Sequence, residues 1–242
     1  MGWESLAAWG PRVERGERLT GGAANDVWTV RLGDRLAVGR LGRRSDDDLA
    51  WETDLLVHLD AAGLTVPTPI PTPDGRGFVD GLTITPWVDG GSPRSDTDWR
   101  RVADTLREVH RVTEGWPQRP GWRSSHDLLT VDTGTKVDLT AMPAEGVVRC
   151  RAAWARLEGV PHHVVHGDLN PGNIRLTADG VGLIDWDEAR VDLAQLDLVL
   201  PGDAGDLGAE YDTACQASAA WEAAVCWDDD YSKRRLAEVR PI

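Results

Sequence analysis

Residues 164–189 read VVHGDLNPGNIRLTADGVGLIDWDEA, and the spacing of the polar residues in this stretch decides the fold. Val164-Val165 and Val181–Ile184 are apolar, strand-like runs, and Ala178-Asp179-Gly180 turns the chain between Asn173–Thr177 and the second run. This predicts His166, Asp168 and Asn173 on one loop, with Asp185 and Asp187 just past the end of a neighbouring strand. Carboxylate and amide oxygens converging at strand ends are hard ligands. They suit Mg²⁺, which takes one or two carboxylates and leaves its other positions to phosphates and water. The interval from Asp168 to Asn173 lets the first side chain face an incoming hydroxyl while the second reaches a metal, as phosphoryl transfer requires.

Upstream, Asp26–Arg40 predicts two short strands, Val27–Leu32 and Arg35–Arg40, joined by a Gly33-Asp34 turn. Leu19–Asn25 is a small-residue loop containing Gly21-Gly22. Ser45 caps a predicted helix that opens on Asp46-Asp47-Asp48, carries Trp51, Leu55, Leu56 and Leu59 at helical spacing, and ends at Gly63. After the proline-stiffened VPTPIPTPDGRG, a strand pair runs through Phe78 and Leu82–Trp87. Asp89–Pro93 has the composition of a hinge. Beyond it the periodicity becomes helical: Asp98–Val112, a helix within Leu139–Leu157, a loop-rich stretch over 116–138, and closing helices over 209–226 and 230–239.

His166-Gly167-Asp168 with Asn173, followed by Ile184-Asp185-Trp186-Asp187, resembles the signature of the aminoglycoside phosphotransferase and choline-kinase-like (APH) family. The likeness extends to Gly21-Gly22 with Asn25 as the short nucleotide loop, Glu52 as the helix glutamate, Thr85–Gly90 as the lobe connector and Asp197-Leu198 as the later Asp-Leu. It implies an α+β, bilobal protein-kinase-like fold. Residues 1–88 would form a small antiparallel-sheet lobe with one helix that binds the nucleotide, 89–93 the hinge, and 94–242 a mainly helical lobe for catalysis and acceptor binding. It further implies ATP as phosphoryl donor, with GTP the alternative, and Mg²⁺ held by Asn173 and Asp185 with Asp187 as a second candidate. Asp168 would orient the acceptor hydroxyl and take its proton, Trp87 would sit near the adenine, and His166 would support the loop.

The family's phosphate-holding lysine has no counterpart, because the only lysines are Lys136 and Lys233. Arg40, at the end of LAVGR, is the candidate in its place, since a guanidinium is permanently charged, forks onto phosphate oxygens and can pair with Glu52. Neither lysine completes a G-x-x-x-x-G-K-[ST] loop, and no G-x-G-x-x-G occurs.

Lys and Arg total 26 against 40 Asp and Glu, a formal charge of −14. That field repels nucleic acid and anionic lipid and favours a cationic small-molecule acceptor. Cys150, Cys215 and Cys226 are too few and too far apart for a disulfide framework or zinc ribbon. The first residues lack a signal-peptide pattern, no apolar run spans a bilayer, and the expectation is a cytoplasmic monomer or homodimer. Through the resemblance, the leading acceptor is an antibiotic, an aminoglycoside or tuberactinomycin-type peptide. The alternatives are a small metabolite of choline, homoserine or sugar type, or a nucleotide-binding pseudokinase. Trp116 and Trp122, in the loop-rich stretch, are candidates to stack on an acceptor, and Trp186 is expected to pack beneath the metal loop.

Overall fold

The alternating runs on either side of Gly33-Asp34 fold as a hairpin in the computed structural model of the chain, which describes residues 2–19, 25–225 and 227–241. Strands β2 (Asp26–Leu32) and β3 (Arg35–Leu41) pair in register, Asp26 facing Leu41 and Leu32 facing Arg35. They sit in a five-stranded antiparallel sheet of order β1-β2-β3-β5-β4, with β1 Val13–Arg18, β4 Phe78–Val79 and β5 Leu82–Pro86. Strand β1 is absent from the sequence-based expectation. Its VERGER sequence shows no alternation because five of its six residues are exposed, so only pairing to β2 makes it a strand. Val30, Ala37, Leu82 and Ile84 form the buried face, covered by Leu6 and Trp9 of a short 3₁₀ segment at Trp3–Trp9.

Helix α1 (Asp46–Ala61) begins where Ser45 accepts a hydrogen bond from the Asp48 N–H, with three aspartates in its first turn complementing the helix dipole. It buries Leu49, Trp51, Leu55, Leu56 and Leu59, and the chain leaves it through Gly63 at φ 88°.

By contacts the chain forms two units, Met1–Ser92 with Gly172–Asp185, and Pro93–Pro171 with Trp186–Ile242. The first unit therefore contains a hairpin from much later in the chain, β7 (Ile174–Leu176) and β8 (Val181–Leu183). Gly91 and Leu176 exchange backbone hydrogen bonds (3.0 and 2.7 Å), and the Leu183 N–H donates to Thr65 O (3.0 Å). Gly90 makes the approach possible: it has φ 140°, and a Cβ there would come within 2.9 Å of the Arg175–Leu176 backbone.

The second unit is built from α2 (Asp96–Val112), α3 (Ala144–Ala155), α4 (Tyr211–Val225) and α5 (Asp230–Glu238), with β6 (His162–Val165) antiparallel to β9 (Arg190–Leu193). Ser95 and Asp98 form a reciprocal capping box at the start of α2. The core gathers Trp122, Leu128, Leu139, Trp154 and Trp221 with the alanine-rich face of α4. The helix expected within Leu139–Leu157 is divided: a 3₁₀ turn covers Leu139–Ala141 and α3 begins only after Pro143. Proline disfavours the helical conformation in the residue before it, and Met142 accordingly has ψ 152°.

Candidate active site

In the first unit, the register of β7 and β8 pairs Ile174 with Leu183, and the Ile184 N–H donates to the Asn173 carbonyl (2.9 Å). Asn173 and Asp185 are thereby presented at the same end of one hairpin. Asp185 holds φ 67°, a left-handed conformation that aspartate tolerates better than most residues, and its side chain is 38% exposed. Asn173 is buried. From β3, Arg40 lies opposite Val27 on one side and Thr83 on the other, and its Nη2 donates to Asp185 Oδ1 at 2.7 Å. Its side chain is only 14% exposed, so Arg40 is an inward-facing cation rather than a surface arginine.

Arg44, one of the arginines close to Arg40 in the sequence, is a partner of Glu52. Its guanidinium forks onto both carboxylate oxygens of buried Glu52 on α1. The signal available in sequence was the spacing of eight residues across the cap of α1, which is weaker than a motif. Asn25 lies against Gly42, where a Cβ would meet the amide oxygen at 2.2 Å. Trp87 follows β5, is 40% exposed, and donates its indole N–H to Asp89 (2.8 Å). Gly21 and Gly22 fall outside the described residues.

In the second unit, β6 delivers His166, Gly167 and Asp168. Fully buried Asp197 accepts the N–H of His166 (2.6 Å) and of Gly167 (3.1 Å), and lies 3.4 Å from the His110 ring. Burial pushes the Asp197 carboxyl up, but the His110 hydrogen bond and charge and the His166 N–H together hold it below the usual 3.8. The Asp168 N–H donates to Nδ1 of buried His166 (3.3 Å), and Asn170 donates its amide to Asp168 Oδ1 (3.1 Å). Gly167, at φ 82°, leaves no room for a side chain, since a Cβ would come within 2.5 Å of the Glu188 carbonyl.

Asp187 belongs to the 3₁₀ turn Trp186–Glu188, which Arg119 clamps by donating Nη1 to the carbonyls of Trp186, Asp187 and Ala189 (3.3, 3.1 and 2.8 Å). Trp186 is buried with its ring centroid 4.7 Å from that of His166. Trp122 is also buried, its face taken by Arg119 at 4.8 Å, so it is core and not a platform for an acceptor. The His163 ring lies 5.9 Å from that of His110, tilted by 31°, and the His162 ring lies 5.6 Å from that of His126.

Within the first unit, the donor set offered by Asn173 and Asp185 consists of hard oxygens and fits Mg²⁺. Asp185, partly exposed and bound through one oxygen to Arg40, has a second carboxylate oxygen for such an ion.

A homoserine kinase of Rhizobium etli is 30% identical over 175 residues, covering 64% of this chain and 53% of the relative, so the chain spans about half that relative's length. Among solved structures, a microcompartment-associated aminopropanol kinase superposes with a TM-score of 0.66 at 16% identity, covering 98% of this chain and 92% of its own. The amicoumacin kinase hAmiN, solved in complex with AMP-PNP and Ca²⁺, gives a TM-score of 0.62 at 16% identity, covering 97% of this chain and 83% of its own. These likenesses show the kinase-like fold. With a match to the model described as the phosphotransferase enzyme family, APH, running over residues 15–239, the chain belongs to that family.

Proposed function

We propose that the chain is an ATP- and Mg²⁺-dependent O-phosphotransferase whose acceptor is a hydroxylated, cationic small molecule. The observation that carries this reading is the β7–β8 register, which presents Asn173 and Asp185 together where Arg40 reaches Asp185. In this reading Asp168 orients the acceptor hydroxyl and takes its proton late, because the transition state is largely dissociative. Asn170 steadies the Asp168 carboxylate by donating its amide to Oδ1. Arg40 binds phosphate oxygens, Glu52 and Arg44 brace α1 behind it, Gly21, Gly22 and Asn25 form the nucleotide loop, and Trp87 flanks the base. Mg²⁺, held by Asn173 and Asp185 with Asp187 as second candidate, supplies neutralisation of charge on the β- and γ-phosphates when bound.

The lobes of this reading are 1–88 and 94–242, with 89–93 connecting them. In this reading the enzyme works in the cytoplasm, as a monomer or homodimer. Support for an amine-bearing acceptor comes from the excess of carboxylates and from the relatives, which are named for homoserine, aminopropanol and amicoumacin. These names divide between metabolism and antibiotic inactivation, so both acceptor types belong in the assay.

The test is ADP release from Mg²⁺ATP with amino alcohols, homoserine and cationic antibiotics. Turnover with one acceptor is expected, with Asp168→Asn lowering kcat by at least about 10³-fold while nucleotide still binds. Nucleotide binding with no turnover on any acceptor would replace this reading with the pseudokinase.

A further inference from the structure

We propose that Glu188 anchors the cationic nitrogen of the acceptor in a cavity of about 450 Å³ that Asp168 also lines. The proposal rests on the phosphotransferase reading and names the acceptor class for that site: a compact amino alcohol, its ammonium and hydroxyl separated by a few bonds. The cavity lies wholly within the second unit, and its volume is in the range of small-molecule sites. The residues that line it include four acidic ones and one basic one, Asp168, Glu188, Asp197, Glu222 and Arg190.

Three of these five groups are already engaged. Asp197 holds the backbone of the His166–Gly167 loop. Glu222 accepts from the Arg235 guanidinium (2.9 Å), the Tyr231 hydroxyl and Ser218 (3.4 Å). Arg190 is 1% exposed, bound to Asp192 at 2.8 Å and stacked 3.4 Å over Trp221. Glu188 differs from them. Among the described residues its side chain meets Lys136, whose Nζ donates to Oε1 at 2.8 Å, and it remains 26% exposed. An ionised carboxylate accepts at about four lone-pair sites, so Oε2 retains capacity for a further N–H donor.

The geometry around Glu188 is that of a prearranged group. The Arg119 clamp fixes the turn on which it sits, Arg119 lies over Trp122, and the Lys136 ammonium lies 5.7 Å from the same ring. One of the chain's two lysines is thus used to hold this carboxylate in place. An anchor fixed before the ligand arrives costs little ordering entropy on binding. Because Glu188 and Asp168 wall one cavity, an amine on the first delivers a hydroxyl to the second only when the linking chain is short.

The experiment is ligand-observed NMR titration of the full chain, loaded with Mg²⁺ and AMP-PNP, with 3-amino-1-propanol and with its neutral counterpart 1,3-propanediol. Wild type is expected to bind the amine saturably. E188Q is expected to bind it about tenfold more weakly, the size of one lost charge-assisted contact, while binding the diol as wild type does. Glu188→Asp, which keeps the charge, should retain part of the preference for the amine, and matched melting curves exclude misfolding. Equal affinity of wild type and E188Q for the amine, or no saturable amine binding while AMP-PNP binds, overturns the proposal. ADP release is read separately with Mg²⁺ATP: amine bound through Glu188 with no ADP release on any acceptor of the panel retires the phosphotransferase reading and leaves the cation site standing.

Discussion

Asp197 pairs a buried negative charge with two backbone N–H donors, and it does so under the loop that ends in Asp168. Because its carboxyl is held below the ordinary value, its ionised form stabilises the fold above that value, and the stabilisation is lost as pH falls through the lowered one. Asp197→Asn should therefore cost about 3 kcal/mol at pH 7, the scale of two hydrogen bonds to a charged group. Urea titrations at falling pH should show the difference shrinking below the carboxylate range; a difference that stays constant would sink the argument. For Arg40, removal of the guanidinium should raise the nucleotide KM by roughly 10- to 100-fold, with Arg40→Lys restoring part, since an ammonium keeps the charge but not the fork. Cys150, packed between α3 and α4 with its thiol pushed up to about 12 by burial, should resist thiol reagents at pH 8 until the chain is unfolded, which a timed labelling experiment reads directly.

At the scale of elements, α2 starts two residues before the Asp98 expected from sequence and depends on the Ser95 cap that the structure reveals. Ser95→Ala removes the acceptor for the Asp98 N–H and should lower stability by about 1 kcal/mol, measured by thermal unfolding followed by circular dichroism. The elements legible from sequence were those with a local cause: the Gly33-Asp34 hairpin, α1 between Ser45 and Gly63, α2, and the paired runs around Ala178–Gly180. Those not legible lack one. Strand β1 is polar on both faces, and β9 is a four-residue run paired to β6 across more than twenty residues of chain. That Asn173 and Asp185 lie at one end of a hairpin was readable, because they flank the two paired runs of one short stretch. By contrast, the Arg44–Glu52 pair, the Arg119 clamp and the Lys136–Glu188 bond join residues whose spacing carries no pattern, and only the folded chain brings them into contact.

The whole molecule carries a formal charge of −14, and a field of that sign draws cations toward its surface. If the acceptor is cationic, its KM should rise as salt goes from about 0.05 to 0.5 M, while kcat changes little, because screening shortens the reach of the field without altering the bound state. A KM insensitive to salt would argue for a neutral acceptor. The first unit is discontinuous in sequence, being closed by a hairpin that follows a stretch of 79 residues, 93–171, belonging to the second. During translation the ribosome must therefore make that whole stretch before the last piece of the first unit emerges, a delay of roughly 4–16 s at about 5–20 residues per second. Until then Gly91 has no Leu176 to pair with and Thr65 no Leu183, leaving backbone groups open to chaperones. The same threading means that a gene fusion cut near residue 92 would separate the first unit from its own hairpin.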